Sequence, residues 1–234
     1  FGIPAIFVSC MVVIFRKMDY QYIGSGKKTL QIVLFLIAFQ FLEKTVTTNF
    51  HEIHIALDDK IPFCEYFIVP YLMWFGFVAI TIIYLLFQDK KGYYKLITFL
   101  FTGMTIFLLV SYIYPNGHHL RPTTFARDNI FVDLVKMLYE IDTDTNVLPS
   151  IHVYNSLGCY IAIRKCPKLR NKKGIQIGSF VLTVAIILAT MLLKQHSVID
   201  VVAGMVMARL VYEIVYHYED YLDCEKKGRL VWQK

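Results

Sequence analysis

Residues 175–211 read IQIGSFVLTVAIILATMLLKQHSVIDVVAGMVMARLV, and the fold turns on how this stretch is read. The apolar run over 175–193 approaches the roughly 20 residues that a bilayer-crossing helix requires. A second run covers about 196–217, and only a short polar loop separates the two. Further out, comparable runs lie at about 149–163, 94–113 and 61–87, with shorter ones at 29–42 and 1–15. All are expected to span. For 1–15 a cleaved signal peptide is the competing reading, but RKMDY follows where a small-residue cleavage site would stand.

Composition agrees. Of the 234 residues 56% are hydrophobic and 18% charged, against about 45–50% and about 25% in a soluble domain. The net charge of +6 raises the possibility of nucleic acid, but the placement of the charges gives another reading. Arg16, Lys17, Lys27 and Lys28 fill the first loop, Lys90, Lys91 and Lys95 the third, and Arg164, Lys165, Lys168, Arg170, Lys172 and Lys173 the fifth. The tail adds Lys226, Lys227, Arg229 and Lys234, while the alternate loops are poorer in cations. Lys and Arg concentrate on cytoplasmic loops, so loops two, four and six are expected to face outward, and no nucleic acid is implied. The chain lacks a linker, repeat or low-complexity tract and reads as one membrane domain over 1–234, with its core at about 94–217.

Several local features carry no chemistry. GSGKKT at 24–29 lacks the first glycine of a phosphate-binding loop, since Gln21 stands there, and reads as a cytoplasmic turn. The five cysteines (Cys10, Cys64, Cys159, Cys166, Cys224) are odd in number and lack zinc-site spacing. His51, His54, Asp58 and Asp59 form an outward patch of metal-like composition to which no metal is assigned, and Glu65, at the outer end of its span, is left open between a headgroup contact and a structural cap. In the long loop 114–148, Asp128 is expected to cap a helix starting at Asn129. There Ile130, Phe131, Leu134, Val135 and Leu138 share one face. That helix would either lie on the outer membrane surface or pack over neighbouring loops.

Loops two, four and six then gather an unusual set of polar residues on one side. Loop four contains YPNGHHLRP with Arg121, the entry to the next span holds Pro149, Ser150 and His152, and loop six leads into His196 and Asp200 through Lys194. His196 and Asp200 are four apart and share a helix face. Gly204 and Ala208 continue it with small residues that admit a neighbouring helix. An inward-facing ionisable pair within a span is a functional candidate, with a helix-joining polar pair as the alternative. A carboxylate on one imidazole nitrogen fixes the tautomer and frees the other nitrogen for attack. A second histidine, His152, suits proton transfer to a departing oxygen. Arg121, Lys194 and Ser150, with helix-start amides, suit an anion. The set describes phosphoryl transfer through a phosphohistidine.

RP at 121–122, PSIH at 149–152 and HSVID at 196–200 resemble the three signatures of the type 2 phosphatidic-acid phosphatase/haloperoxidase superfamily, in the right order. The KQH form is similar to the branch holding fungal inositol phosphorylceramide synthase and many bacterial relatives. The resemblance implies an all-α membrane bundle with a six-span core, six or seven spans in all, and a short amphipathic helix in the outer loop. His196 would be the nucleophile, Asp200 its orienting partner and His152 the general acid. Arg121 and Ser150 would bind phosphate, with no metal or cofactor. The chain departs from the family pattern at Tyr114, where a lysine is usual, and at Ala189 and Thr190, where Ser-Arg is usual. Ile151 likewise replaces a glycine, and Lys194 is expected to restore the lost cation.

The expected function is a lipid phosphate phosphatase, acting on a lipid phosphomonoester or diphosphate at the outer face of a bacterial plasma membrane. A lipid phosphotransferase of the inositol phosphorylceramide synthase or sphingomyelin synthase kind is the alternative, differing only in acceptor. A non-catalytic transporter or scaffold is a second alternative, and a vanadate-dependent peroxidase fits less well because those relatives are soluble. The expected partners are the bilayer and a lipid phosphate, with no nucleic acid. The sequence leaves the oligomeric state open.

Overall fold

The computed structural model describes residues 50–218. The runs at 1–15 and 29–42, GSGKKT, the cations of the first loop and tail, Cys10 and Cys224 lie outside them. In chain order the elements are β1 (His51–Glu52), α1 (Ala56–Lys60), α2 (Ile68–Gln88), α3 (Lys90–Ile113), β2 (Asn116–Gly117), α4 (Ile130–Ile141), α5 (Ile151–Lys165), α6 (Lys173–Leu192) and α7 (Val198–Tyr212). A 3-10 turn, Glu65–Phe67, leads into α2, and α7 runs on into a π-helical segment, Glu213–Tyr218.

The chain punctuates itself where residue chemistry requires. Asp89 separates α2 from α3 and caps the latter, its carboxylate accepting from Gly92 N–H at 3.0 Å. α5 is capped by Ser150 and ends at Cys166, just before Pro167. Among the described residues three helical stretches are long and apolar enough to cross a membrane: Glu65–Gln88, α3 and α6. α5 and α7 have 15 residues each, about 22 Å at 1.5 Å per residue.

α5 is the hub, packing on α2, α3, α6 and α7. Its residues explain this: Asn155, Ser156, Gly158, Cys159 and Ala162 are all buried, and small side chains let helices approach closely without a hydrophobic drive. A Cβ on Gly158 would come 2.7 Å from the Phe99 ring of α3, and one on Gly103 would fall 2.1 Å from Tyr154. Tyr154 stacks on Phe99 at 4.4 Å and donates its hydroxyl to the Phe99 carbonyl at 2.6 Å. Gly204 of α7 meets α5 the same way, a Cβ there lying 2.7 Å from the Ser150 carbonyl. The stripe of Asp200, Gly204 and Ala208 is buried, so it faces the bundle as its spacing predicts.

The long fourth loop is built over the bundle end. α4 is capped by Asn129, whose Oδ1 accepts from Phe131 and Val132 N–H at 3.0 Å each. The helix thus begins one residue later than expected, and Asp128 is not its cap. Val135 and Leu138 pack with Ile68, Tyr71, Ala189 and Leu193, while Ile130 is exposed. α4 thus packs over neighbouring elements. Glu65, buried at the head of α2, accepts from Arg127 and Asn129 at 3.0 and 3.2 Å, tying the loop down. β1 and β2 pair in parallel. Asn116 of β2 accepts from Val147 and Leu148 N–H, at 2.9 and 2.8 Å, on the approach to α5.

Candidate active site

The turn from α6 to α7 positions His196. α6 closes in a Schellman arrangement, with Lys194 N–H donating to Met191 O at 3.0 Å and Gln195 N–H to Thr190 O at 2.9 Å. Lys194 takes the left-handed position with φ 54°, a place usually held by glycine. His196 N–H also donates to Thr190 O at 3.0 Å, which sets its ring at the mouth of α7. The next residue, Ser197, caps α7 in a capping box: Asp200 Oδ2 accepts from Ser197 N–H at 2.9 Å, and Ser197 Oγ from Ile199 N–H at 3.2 Å.

Asp200 therefore has two tasks. The same Oδ2 lies 3.5 Å from His196 Nδ1, the edge of hydrogen-bonding range. Its Oδ1 and His196 Nδ1 are buried and make no hydrogen bond among the described residues. On the other side of the ring, His196 Nε2 faces His152 Nδ1 at 3.4 Å. His152, in the first turn of α5, is pinned between the rings of Tyr71 and Trp74, 4.8 and 4.4 Å away between centroids. His196 thus stands between a carboxylate on Nδ1 and a second imidazole on Nε2. Both histidines line a cavity of about 50 Å³, with Ile151, Gln195, Asp142, Thr143 and Ser111. That is more than the roughly 30 Å³ share of one liquid water.

Arg121 reaches this cavity through others. Its guanidinium lies on the Tyr139 ring at 4.7 Å. Two of its nitrogens donate to the carbonyls of Tyr139, Asp142 and Thr143 at 3.2, 2.7 and 2.8 Å, and to Gln195 Oε1 at 2.7 Å. With its oxygen held there, Gln195 keeps a buried amide nitrogen with no partner among the described residues. The Gln195 carbonyl accepts from His118 Nε2 at 2.8 Å, while His118 Nδ1 accepts from Leu120 N–H at 3.3 Å. Burial holds the His118 ring below the usual imidazole range, in keeping with this neutral tautomer. Asp142 accepts from the Tyr71 hydroxyl at 3.1 Å. Burial pushes its carboxyl up, against the pull of Arg121 and His196.

His196, Asp200 and His152 come together, although His196 stands before the Ser197 cap and not on the helix with Asp200 as expected, while Arg121, Ser150 and Lys194 do not line the cavity. Ser150 is fully buried as the α5 cap, Oγ accepting from Val153 N–H at 3.5 Å. Its own N–H donates to Asp200 O at 3.1 Å, so the two chain signatures are stitched backbone to backbone. Pro149 precedes this cap and does not itself begin the helix. Lys194 turns away and caps α1, Nζ donating to Asp58 O and Ile61 O at 2.6 Å each. Burial lowers its pKa, with Asp58 and Asp59 opposing. Ile151 opens α5 in ordinary helical conformation, so the position demands nothing only glycine supplies.

Four further residues have roles that the sequence reading did not assign. Gln195 and Asp142 sit in the cavity wall, and His118 is buried. Asp58 turns inward, away from the outward patch expected for it with His51, His54 and Asp59. It accepts from Ser197 Oγ at 2.7 Å and Val198 N–H at 2.8 Å, bracing the start of α7. His54 pairs with Asp59 at the surface instead, at 2.9 Å. The pattern Ser197-x-x-Asp200 is a capping-box signature and was the one available clue to Asp200's second task. Nothing local marks Gln195 or Asp58, because their partners lie 74 and 139 residues away.

Comparison with known proteins adds one finding. The sequence model of a family described as the PAP2 superfamily matches residues 38–214, more than half of the chain. No curated protein and no solved structure matches it.

Proposed function

Because the chain belongs to the PAP2 superfamily, a helical membrane fold of phosphatase and phosphotransferase type, we propose that it removes phosphate from a lipid phosphomonoester or diphosphate through a phosphohistidine on His196. The observation that carries this reading is the flanking of His196, with Asp200 at 3.5 Å from Nδ1 and His152 at 3.4 Å from Nε2. Asp200 keeps the proton on Nδ1 and supports the cation that forms, leaving the Nε2 lone pair for phosphorus. A phosphoryl group entering the cavity parts the two imidazoles. Nε2 forms the N–P bond as the P–O bond to the lipid breaks, and His152, as the imidazolium, delivers its Nδ1 proton to the departing oxygen and becomes neutral. Water then attacks the phosphohistidine, gives a proton to the same His152 nitrogen, and leaves inorganic phosphate with both rings restored.

The phosphate oxygens are held by donors at the cavity wall: the Gln195 amide and the free amides opening α5. Arg121 acts behind Gln195, fixing its oxygen so that the NH2 faces inward, and contributes positive field. Lipid rather than soluble phosphate fits the location, at the end of helices whose outer faces are apolar. The cation-rich loops at the opposite end support a location of this site at the outer face.

The test uses protein purified in detergent with phosphate-labelled phosphatidic acid and acid quenching. Wild type should give a transient acid-labile phosphoprotein and free phosphate, and His196→Ala should lose both, by about 10³-fold or more. Unchanged release from the alanine variant would end this reading. Added alcohols, inositol included, separate hydrolysis from transfer: label appearing in the alcohol identifies a phosphotransferase acting through the same phosphoenzyme.

A further inference from the structure

The bundle has a second concavity at its other end. α5 runs from the histidine cavity to Lys165, about 22 Å away, and α6 starts its return at Lys173. Between them lies a groove of about 770 Å³ lined by Arg164, Arg170, Lys173, Tyr160 and Phe180, with no Asp or Glu in its wall. Among the described residues neither Arg170 nor Lys173 meets a carboxylate. Arg164 is held against Tyr160, NH1 donating to the phenol oxygen at 3.1 Å, so its charge is oriented without being neutralised. The start of α6 adds the positive end of its dipole. A neighbouring groove between α5 and α7 shares Arg164 but is mostly apolar, and its Arg209 is already engaged with Glu213.

The cations favour an anionic occupant, and the walls above them indicate its kind. Ile177, Phe180, Val181 and Val184 are all exposed on α6. They follow Lys173 at helical spacing and so form one apolar stripe leading away from the groove. Phe180 lies 5.7 Å from Tyr160 across it, centroid to centroid. A phosphate group among the cations and hydrocarbon along the stripe is the outline of a membrane phospholipid, whereas a soluble anion would leave the stripe unused. We propose that this groove is a binding site for the headgroup of an anionic phospholipid of the adjacent leaflet, separate from the histidine cavity. Basic pockets between helices at the cytoplasmic level bind such headgroups. The inference does not depend on any catalytic role for His196.

Native mass spectrometry of the detergent-purified chain tests it, with phosphatidylglycerol and phosphatidylcholine of matched chains offered at equal concentration. Wild type should retain phosphatidylglycerol preferentially, and the preference should fall as salt rises. The double variant Arg170→Gln/Lys173→Gln should lower it by about fivefold for each cation removed. A double variant at the same membrane end, Lys90→Gln/Lys91→Gln, removes equal charge outside the groove and should keep the preference. Equal retention of the two lipids by wild type would overturn the proposal. So would equal losses in both double variants, which would mean a diffuse surface charge effect. Displacement of phosphatidylglycerol by millimolar inorganic phosphate would also overturn it, identifying a simple anion site.

Discussion

At the scale of single residues, Gln195 concentrates the site's logic. Its four polar groups have four different fates: N–H to Thr190 O, carbonyl to His118, Oε1 to Arg121, and Nε2 to nothing among the described residues. A buried donor without a partner costs free energy unless something fills it. In the proposed reaction phosphate does. Gln195→Leu, similar in size, should therefore reduce kcat/KM by about 10- to 150-fold, the equivalent of a 1.5–3 kcal/mol hydrogen bond to a charged group. Gln195→Glu should do worse, setting a carboxylate against the phosphate. Inhibition by inorganic phosphate should weaken in parallel in both variants while the melting temperature changes little. A loss of stability with phosphate affinity unchanged would mark Gln195 as structural only. Lys194, its neighbour, is the contrasting case. Its charge made it the obvious phosphate ligand on paper, yet a left-handed backbone aims its side chain at the carbonyls of α1.

At the scale of elements, the shortest helix, α1, braces the start of α7. α1 is five residues long, yet Asp58 on it closes the exposed start of α7, satisfying an amide and the Ser197 hydroxyl together. Asp58→Ala should cost about 0.5–2 kcal/mol, as loss of a helix cap does, and lower the thermal midpoint by a few degrees. Because α7 begins beside His196, turnover should fall about tenfold as well, with Asp58→Asn intermediate since it keeps an acceptor for Val198 N–H. Wild-type melting and turnover in the alanine variant would refute this bracing role. Such long-range supports mark the limit of sequence reading here. Apolar runs over 61–87, 94–113 and 175–193 were legible because a bilayer imposes length and composition on each span separately. His196 and Asp200 were paired on helical spacing, but His196 stands before the Ser197 cap of α7, and the two meet across the helix start rather than along one helix face. Asp58, Gln195, His118 and Asp142 act across loops and between helices. No periodicity records such contacts.

At the scale of the whole molecule, the bundle is chemically polarised along its axis. One end gathers His152, His196, Asp200, Asp142 and the α4 cover, and the other carries Arg164, Lys165, Lys168, Arg170, Lys172 and Lys173. These ends are joined by α5 and α6 running in opposite directions, so a bilayer crossing the apolar middle puts them on opposite faces. In the proposed orientation the cation-rich end lies in the cytoplasm and the histidine cavity faces outward. Single cysteines in a cysteine-free background can test this with a membrane-impermeant maleimide on intact cells. Asp128→Cys, on the exposed loop before α4, should label at once, whereas Lys172→Cys should label only after permeabilisation. The reverse pattern would invert the orientation and put lipid phosphate capture at the inner leaflet. Labelling of both in intact cells would mean that the helices do not separate the two ends across a bilayer. The assignment is sensitive because the α5–α6 connection carries the charge: replacing its lysines and arginines with glutamine should weaken the orientation bias while leaving the histidine cavity, a full helix length away, chemically intact.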